Sequence, residues 1–460
     1  MKVYVQTLGC PKNLVDSELM LGAVARDGAQ VVLDPEAADV LVVNTCGFID
    51  GAKRESIDAI LELARYKDAD PSKRLVVTGC LVQRYAAELQ RALPEVDAFL
   101  GTGDFTRLPD VLQRGERSDA SRYGGAAHLL PDVAVPRVRT GAFFSAYLKV
   151  SEGCDHTCSF CIIPKIRGRH ESRPMASVVA EAAALAADGV VELNLIAQDL
   201  TAYGRDRRDG TTLAGLLREL VRIDGLRWIR LLYNYPRLVT DELLDTIASE
   251  EKVCAYIDMP LQHISDRMLR AMRRERGGAA IRQLIRRIRE RIPGVAIRTA
   301  FIVGFPGETE ADFTALTEFV RDARIERVGV FSYSREEGTA AAQLPGQVPQ
   351  HEKRRRYDRL MRAQAPIARA ANQSLVGSVQ PVLTCGTDDE GRLYGRLWSQ
   401  APDIDGVVYL RGESAPGTLG PVRIRAARTY DLEGTIEPVP GSFSIDSTAE
   451  SLYGSPPFSE

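Results

Sequence analysis

Three times in the first 80 residues an apolar strand pattern runs straight into a cysteine, at Leu8-Gly9-Cys10, Asn44-Thr45-Cys46 and Thr78-Gly79-Cys80. The patterns predict strands at Val3–Leu8, Val40–Asn44 and Leu75–Gly79. Helices are expected at Leu14–Asp27, Ala52–Tyr66 and Leu81–Leu93. Uniformly apolar strands alternating with helices call for a parallel sheet covered on both faces, a doubly wound α/β arrangement. In open parallel sheets ligands sit outside the carboxyl ends of the strands. The three cysteines are therefore expected to converge, although 36 residues separate Cys10 from Cys46 and 34 separate Cys46 from Cys80.

A second strand–helix series follows residues 115–140, which read as a linker. Its strands are expected at Ala146–Ser151, Val191–Ala197, Trp228–Tyr233, Ala255–Asp258, Val295–Val303 and Arg327–Phe331. Helices are expected at Ser177–Ala187, Leu213–Ile223, Asp241–Ser249, Ala279–Arg291 and Glu310–Ala323. Six such units predict a partial (βα)6 TIM-like barrel, with its site again at the carboxyl ends of the strands. A charged helix over His351–Asn372 leads out of it. Its Lys353-Arg354-Arg355-Arg356 run is open to two readings, an RNA contact or a solvated face. Beyond it, short strands at Gln380–Thr384, Leu393–Trp398, Gly406–Leu410 and Val422–Ala427 predict a small OB-like β-barrel. The Ser- and Pro-rich end is expected to be disordered. The domains are thus expected at 1–115, 140–372 and 375–441.

The loop after the first strand of the second series reads Cys154-Asp155-His156-Thr157-Cys158-Ser159-Phe160-Cys161, a C-x3-C-x2-C spacing. Three thiolates on one tight loop can hold three irons of a 4Fe–4S cubane. No fourth cysteine is nearby, so one iron would stay open to a small ligand, as the open position does in catalytic zinc sites. A zinc site with His156 as fourth ligand is the alternative. Five of the six cysteines up to Cys161 have a Gly, Thr or Ser neighbour, which lets backbone approach an inorganic group. The remaining two, Cys254 and Cys385, have no partners by spacing, and Cys254 is expected to be a buried thiol.

Composition narrows the class. Of 460 residues, 45% are hydrophobic and 26% charged, ordinary values for a globular chain. The net charge of -3 excludes a globally basic nucleic-acid binder. The start MKVYVQTLGC lacks an apolar leader, and no run approaches the ~20 apolar residues of a membrane span. A cytoplasmic protein without membrane contact is expected, where clustered cysteines hold metal more often than disulfides.

The C-x3-C-x-Phe-C loop after a first barrel strand resembles the radical SAM superfamily. Further stretches resemble its methylthiotransferases: Gly9-Cys10-Pro11-Lys12-Asn13 with Asp16-Ser17-Glu18, Asn44-Thr45-Cys46-Gly47-Phe48, Thr78-Gly79-Cys80, Ser151-Glu152-Gly153-Cys154 and Pro260-Leu261-Gln262-His263. The similarity runs from Lys2 to about Gly441. Pro11-Lys12 stands where the tRNA-modifying branch usually shows Gln-Met. With Ala401-Pro402-Asp403-Ile404-Asp405-Gly406 it resembles the RimO branch, whose members methylthiolate an aspartate of small-subunit ribosomal protein S-twelve.

The resemblance implies an N-terminal methylthiotransferase domain, a radical SAM core and a C-terminal TRAM domain. It implies two 4Fe–4S clusters, an auxiliary one on Cys10, Cys46 and Cys80 and a SAM-binding one on Cys154, Cys158 and Cys161. One S-adenosyl-L-methionine (SAM) would methylate a sulfur carried by the auxiliary cluster. A second would yield the 5′-deoxyadenosyl radical that takes hydrogen from the aspartate β-carbon. No catalytic residue beyond the cluster ligands is implied. Phe160, Gln198, Gly304 and Glu308 are expected to contact SAM; as plain readings, Phe160 is a loop anchor, Gln198 a turn residue, and the Gly304–Glu308 stretch a turn capping a helix. Lys12 is read either as lining the auxiliary site or as a solvated loop lysine.

The expected partners are ribosomal protein S-twelve and an electron donor such as flavodoxin or ferredoxin, with no specific tRNA. Over residues 377–442 nine acidic side chains meet six arginines, a net of -3 that suits a basic protein better than a phosphate backbone. The alternatives are a tRNA adenosine methylthiotransferase, a non-catalytic ribosome- or RNA-binding protein with structural clusters, and an electron-transfer protein.

Overall fold

A computed structural model of the chain describes residues 1–114, 137–274 and 277–438. Most of the stretch read as a linker and the Ser- and Pro-rich end lie outside the described residues. The first sheet holds β1 (Lys2–Thr7), β2 (Gln30–Val31), β3 (Val40–Thr45), β4 (Arg74–Gly79) and β5 (Ala98–Leu100). Its order is β2-β1-β3-β4-β5, all parallel. Every residue of β3 is buried, which is why its sequence is a continuous apolar run rather than an alternation. Helices Pro11–Arg26, Asp50–Ala69 and Cys80–Ala92 follow β1, β3 and β4. The first starts one residue after Cys10 with Pro at its N-terminus, where a missing N–H costs nothing. Strands β2 and β5 escaped the sequence reading because two or three residues carry no periodicity.

The second sheet holds β6 (Ser145–Lys149), β9 (Glu192–Ile196), β10 (Trp228–Leu231), β11 (Val253–Asp258), β12 (Ala296–Val303) and β13 (Arg327–Ser332). Between β6 and β9 a two-residue hairpin, β7 (Ser151–Glu152) and β8 (Glu171–Ser172), brackets the cysteine loop. The parallel order β6-β9-β10-β11-β12-β13 follows the chain and does not close, so the expected partial (βα)6 barrel is what forms. Alternate strand residues such as Leu148, Leu193, Ile229 and Ile297 pack on the surrounding helices. The opposite face carries Lys149, Glu192, Arg230, Asp258 and Arg298, and all but Arg298 are fully or almost fully buried.

The third unit is a closed barrel of β14 (Val379–Thr387), β15 (Leu393–Leu397), β16 (Val408–Arg411), β17 (Leu419–Ala427) and β18 (Leu432–Ile436). It packs on the polar face of the second sheet. Arg396 donates to both oxygens of Glu192, at 3.0 and 2.6 Å, and Arg230 donates to the same carboxylate at 3.1 Å and to the Trp398 carbonyl. Burial disfavours the ionised form of Glu192, but Arg396 and Arg230 outweigh it and hold the carboxyl far below the usual range. Tyr147 and Tyr256 donate to Asp403 and Asp405 at 3.1 and 2.7 Å. The Asp-Ile-Asp turn is thus a docking element against the barrel.

The Lys353–Arg356 run is not a fully solvated face. It lies in helix Gln350–Gln373, where Lys353 is buried and donates to the Tyr333 carbonyl. Arg356 is buried and pairs with Glu308 at 2.5 Å. Arg355 pairs with Glu352 at 2.8 Å, leaving Arg354 exposed. Removing one partner from a buried, fully paired cluster strands the other charges. Glu192→Ala is therefore expected to cost ~3–5 kcal/mol and to make the C-terminal barrel an early product of limited proteolysis. Unchanged melting and digestion would contradict the role of this contact.

Candidate functional site

Cys10, Cys46 and Cys80 stand at the carboxyl ends of three adjacent strands, β1, β3 and β4. What brings them together is the smallness of their neighbours. A Cβ on Gly9 would lie 2.8 Å from the Cys46 Cβ, and one on Gly47 would lie 2.8 Å from the Cys80 carbonyl oxygen. Gly79 has φ +99°, and a Cβ there would meet the Asn44 Oδ1 at 2.4 Å. Asn13 ties the three loops by donating to the carbonyls of Leu8 and Thr45, at 2.9 and 3.0 Å, while its Oδ1 lies 3.7 Å from the Cys80 Sγ. Burial pushes the Cys46 thiol up to about 12, with Cys80 and Cys10 adding to the effect. The Cys80 thiol is raised by burial too, opposed by Arg167, whose Nη2 is 3.6 Å from the sulfur.

The second set sits on the loop between β7 and β8. Gly153 has φ +76°, and a Cβ there would overlap the Arg169 carbonyl oxygen at 1.9 Å, so the loop closes only with glycine. Burial raises both Cys154 and Cys161 to about 12. Cys161 Sγ accepts from the Ile163 amide at 3.5 Å, and Cys158 Sγ lies 3.6 Å from Arg274 Nη1. His156 is committed elsewhere. Its Nε2 is 2.6 Å from Asp199 and its ring stacks on Tyr235 at 3.6 Å. Among the described residues no three His, Cys, Asp or Glu side chains gather to hold a single metal ion. The Asp199 contact and the Tyr235 stack engage His156 and so disfavour it as a fourth zinc ligand.

Four buried charges join the two sets. Asp16, on the helix that follows Cys10, accepts from Lys149 at 2.5 Å and from Arg167 at 2.7 Å. Glu152, two residues before Cys154, accepts from the same pair at 2.7 and 3.3 Å. Burial works against its charge, but Lys149 and Arg167 prevail and hold it at about 2. Cys80 packs directly on Ile162 and Ile166, just past Cys161. Sequence spacing gave no sign of this knot, because its members lie on four separate elements.

The other expected contact residues fall in different surroundings. Gln198 donates to Glu152 at 2.5 Å, and its Oε1 is buried without a partner, as is the Ser151 hydroxyl. An acceptor left unpaired beside the cysteine loop fits a ligand that brings an ammonium group, as SAM does. Phe160 packs against a cluster containing Met268, Met272, Phe305 and Tyr333. Gly304 (φ +71°) is held tight by Lys353, whose Cγ would lie 2.3 Å from a Cβ. Glu308 is buried and accepts from the Gly304 amide, Arg356 and His263, so all its charge is spent inside the fold. Lys12 is 6% exposed with its Nζ 2.9 Å from the centre of the Tyr233 ring. The solvated-lysine reading is overturned. Burial lowers its pKa to about 8, with Cys10 and Asp258 acting in the opposite direction. Cys254 is buried, as expected.

A partial (βα)6 barrel with a C-x3-C-x2-C loop at its mouth defines a radical SAM enzyme. Residues 148–320 match the Radical SAM superfamily, residues 2–101 match Uncharacterized protein family UPF0004 and residues 376–436 match the TRAM domain. A radical S-adenosylmethionine methyltransferase, TsrM, from Kitasatospora setae shares the fold at TM-score 0.54 and 17% identity over 72% of each chain. The chain is 51% identical to the ribosomal protein uS12 methylthiotransferase RimO of Syntrophotalea carbinolica over 95% of this chain and 96% of that one. It is 53% identical to the protein of the same name from Anaeromyxobacter sp. strain K, over 95% and 93%. The chain belongs to the RimO family of methylthiotransferases, enzymes whose cofactors are SAM and 4Fe–4S clusters.

The glycine geometry is directly testable. Gly79→Ala adds a forbidden φ to a clash and is expected to cost ~2–4 kcal/mol. Gly28→Ala, at φ +85° with nothing within 4 Å of the added carbon, is expected to cost only ~1–2 kcal/mol of backbone strain. Equal losses in chemical denaturation would refute the close-approach argument.

Proposed function

We propose that this chain methylthiolates the β-carbon of an aspartate in ribosomal protein uS12. Cys10, Cys46 and Cys80 would hold the auxiliary 4Fe–4S cluster, and Cys154, Cys158 and Cys161 the SAM-binding cluster. The observation that carries the reading is the pairing of two three-cysteine sets, each without a fourth cysteine, across one buried charge knot. When bound, the clusters and SAM supply the sulfur and the one-electron chemistry needed at a C–H bond too weakly acidic for any side-chain base.

The chain's own residues hold that chemistry in place. Glu152 orients Gln198, and Gln198 keeps an acceptor free for the SAM ammonium. Asp199 and Tyr235 immobilise His156, and with it the middle of the cysteine loop. Arg274 places a positive charge beside Cys158 and stacks on Tyr235 at 4.0 Å. Phe160 and its methionine and aromatic neighbours keep water from that side of the loop.

The C-terminal barrel supports a protein substrate over tRNA. Its arginines are largely neutralised: Arg396 on Glu192, Arg423 on Glu437, Arg428 on Glu433 and Arg392 on Asp388. A surface whose cations are already paired gains little from phosphate neutralisation. No described helix is long and apolar enough to cross a membrane. A ribosomal substrate supports a cytoplasmic setting, with a one-electron donor such as flavodoxin or ferredoxin as partner.

In the reconstituted protein, changing Cys10, Cys46 and Cys80 together to alanine is expected to remove about half the bound iron and abolish methylthiolation while SAM cleavage persists. The same change at Cys154, Cys158 and Cys161 is expected to abolish cleavage as well. Iron analysis and mass spectrometry of uS12 check both. In cells lacking the gene, uS12 should lose a methylthio increment; loss of a methylthiolated adenosine from tRNA instead would favour the other branch.

A further inference from the structure

Lys12 carries a buried ammonium that forms no ion pair among the described residues. Its Nζ stacks on the Tyr233 ring, and Cys10 and Asp258 favour its charged form without pairing with it among the described residues. The carboxylates nearby are taken. Asp258 accepts from Arg298 at 2.9 Å through one oxygen and from the Tyr233 amide at 2.8 Å through the other. Glu152 is saturated by Lys149, Arg167 and Gln198. A buried ammonium left unpaired is costly, and the face of an aromatic ring compensates for only part of its lost hydration. The ring itself is held at a price: Tyr233 has φ +65°, a conformation rare for a bulky residue and typical of functional sites. Lys12 lies in the first turn of the helix that Cys10 caps, where the backbone adds further positive potential.

The geometry points to Lys12 as the residue that binds the side-chain carboxylate of the substrate aspartate, and so selects aspartate at the auxiliary site. The inference rests on the proposed auxiliary site at Cys10, Cys46 and Cys80. The acceptor carbon of the reaction is one bond from that carboxylate. An ammonium fixed two residues from a cluster ligand therefore sets the position of the carbon relative to the sulfur donor. The carboxylate in turn gives Lys12 the ion-pair partner it lacks among the described residues. An asparagine in the same place offers only a neutral carbonyl, and charge-assisted hydrogen bonds are roughly twice as strong as neutral ones.

The test is binding rather than turnover. Fluorescence anisotropy gives Kd for two labelled uS12 loop peptides, one with the target aspartate and one with asparagine, on the reconstituted protein. Wild type is expected to prefer the aspartate peptide. Lys12→Met should weaken aspartate binding roughly 10- to 150-fold, leave asparagine binding nearly unchanged and so erase the preference, while Lys12→Arg restores part of it. Equal weakening of both peptides, no change in either, or loss of iron from Lys12→Met would each overturn the assignment; the last would make Lys12 a counter-charge of the cluster. If the Cys10, Cys46 and Cys80 triple variant keeps methylthiolation, the auxiliary-site reading fails independently of the peptide result.

Discussion

Asp16 and Glu152, buried between Lys149 and Arg167, are the contact on which the rest of this molecule depends. Two anions and two cations leave no net charge, and each carboxylate meets both cations, so the desolvation of all four is compensated together. Asp16 belongs to the helix after Cys10, Lys149 ends the first barrel strand, Glu152 opens the hairpin of the cysteine loop, and Arg167 closes the short helix beyond Cys161. A shift of either cysteine set would break this arrangement. Arg167 also reaches Asn13 and the Cys80 sulfur, so the knot passes directly into the first set.

Around this knot the fold solves a geometric problem. Two parallel sheets each carry three cysteines toward their carboxyl edge, and the proposed two-cluster reaction needs those edges to face one another. Arg137, just before the barrel, reinforces the join by pairing with Glu18 of the first unit and Glu181 of the second. The C-terminal barrel then closes the polar face of the second sheet through Glu192, Arg230 and Arg396. The third unit is thereby held against the second sheet.

Legibility from sequence followed the range of the forces. Strands β3, β4 and β9 to β13 and their helices were readable because apolar runs and helical spacing are local signals, and helix Asp241–Ser249 matches its expected bounds. The pairing of Cys154, Cys158 and Cys161 was readable because eight residues hold all three. The meeting of Cys10, Cys46 and Cys80 was readable at one remove, through the rule that parallel strands deliver their ends to one edge. Strands β2, β5 and β18 were missed, being short or set among turns.

The sequence by itself determined the strand–helix order, the two cysteine sets, the glycines that let them close and the family to which the chain belongs. Only the tertiary structure decided which charges pair. His156 could ligate a metal or clamp a loop, Lys12 could face water or a ring, and Glu308 could face a ligand or an arginine from a helix more than 40 residues further on. Those choices depend on which partner arrives from a distant part of the chain. Electrostatic and hydrogen-bond energies at a few ångströms in a dry interior are set by that arrival, and nothing local in the sequence encodes it.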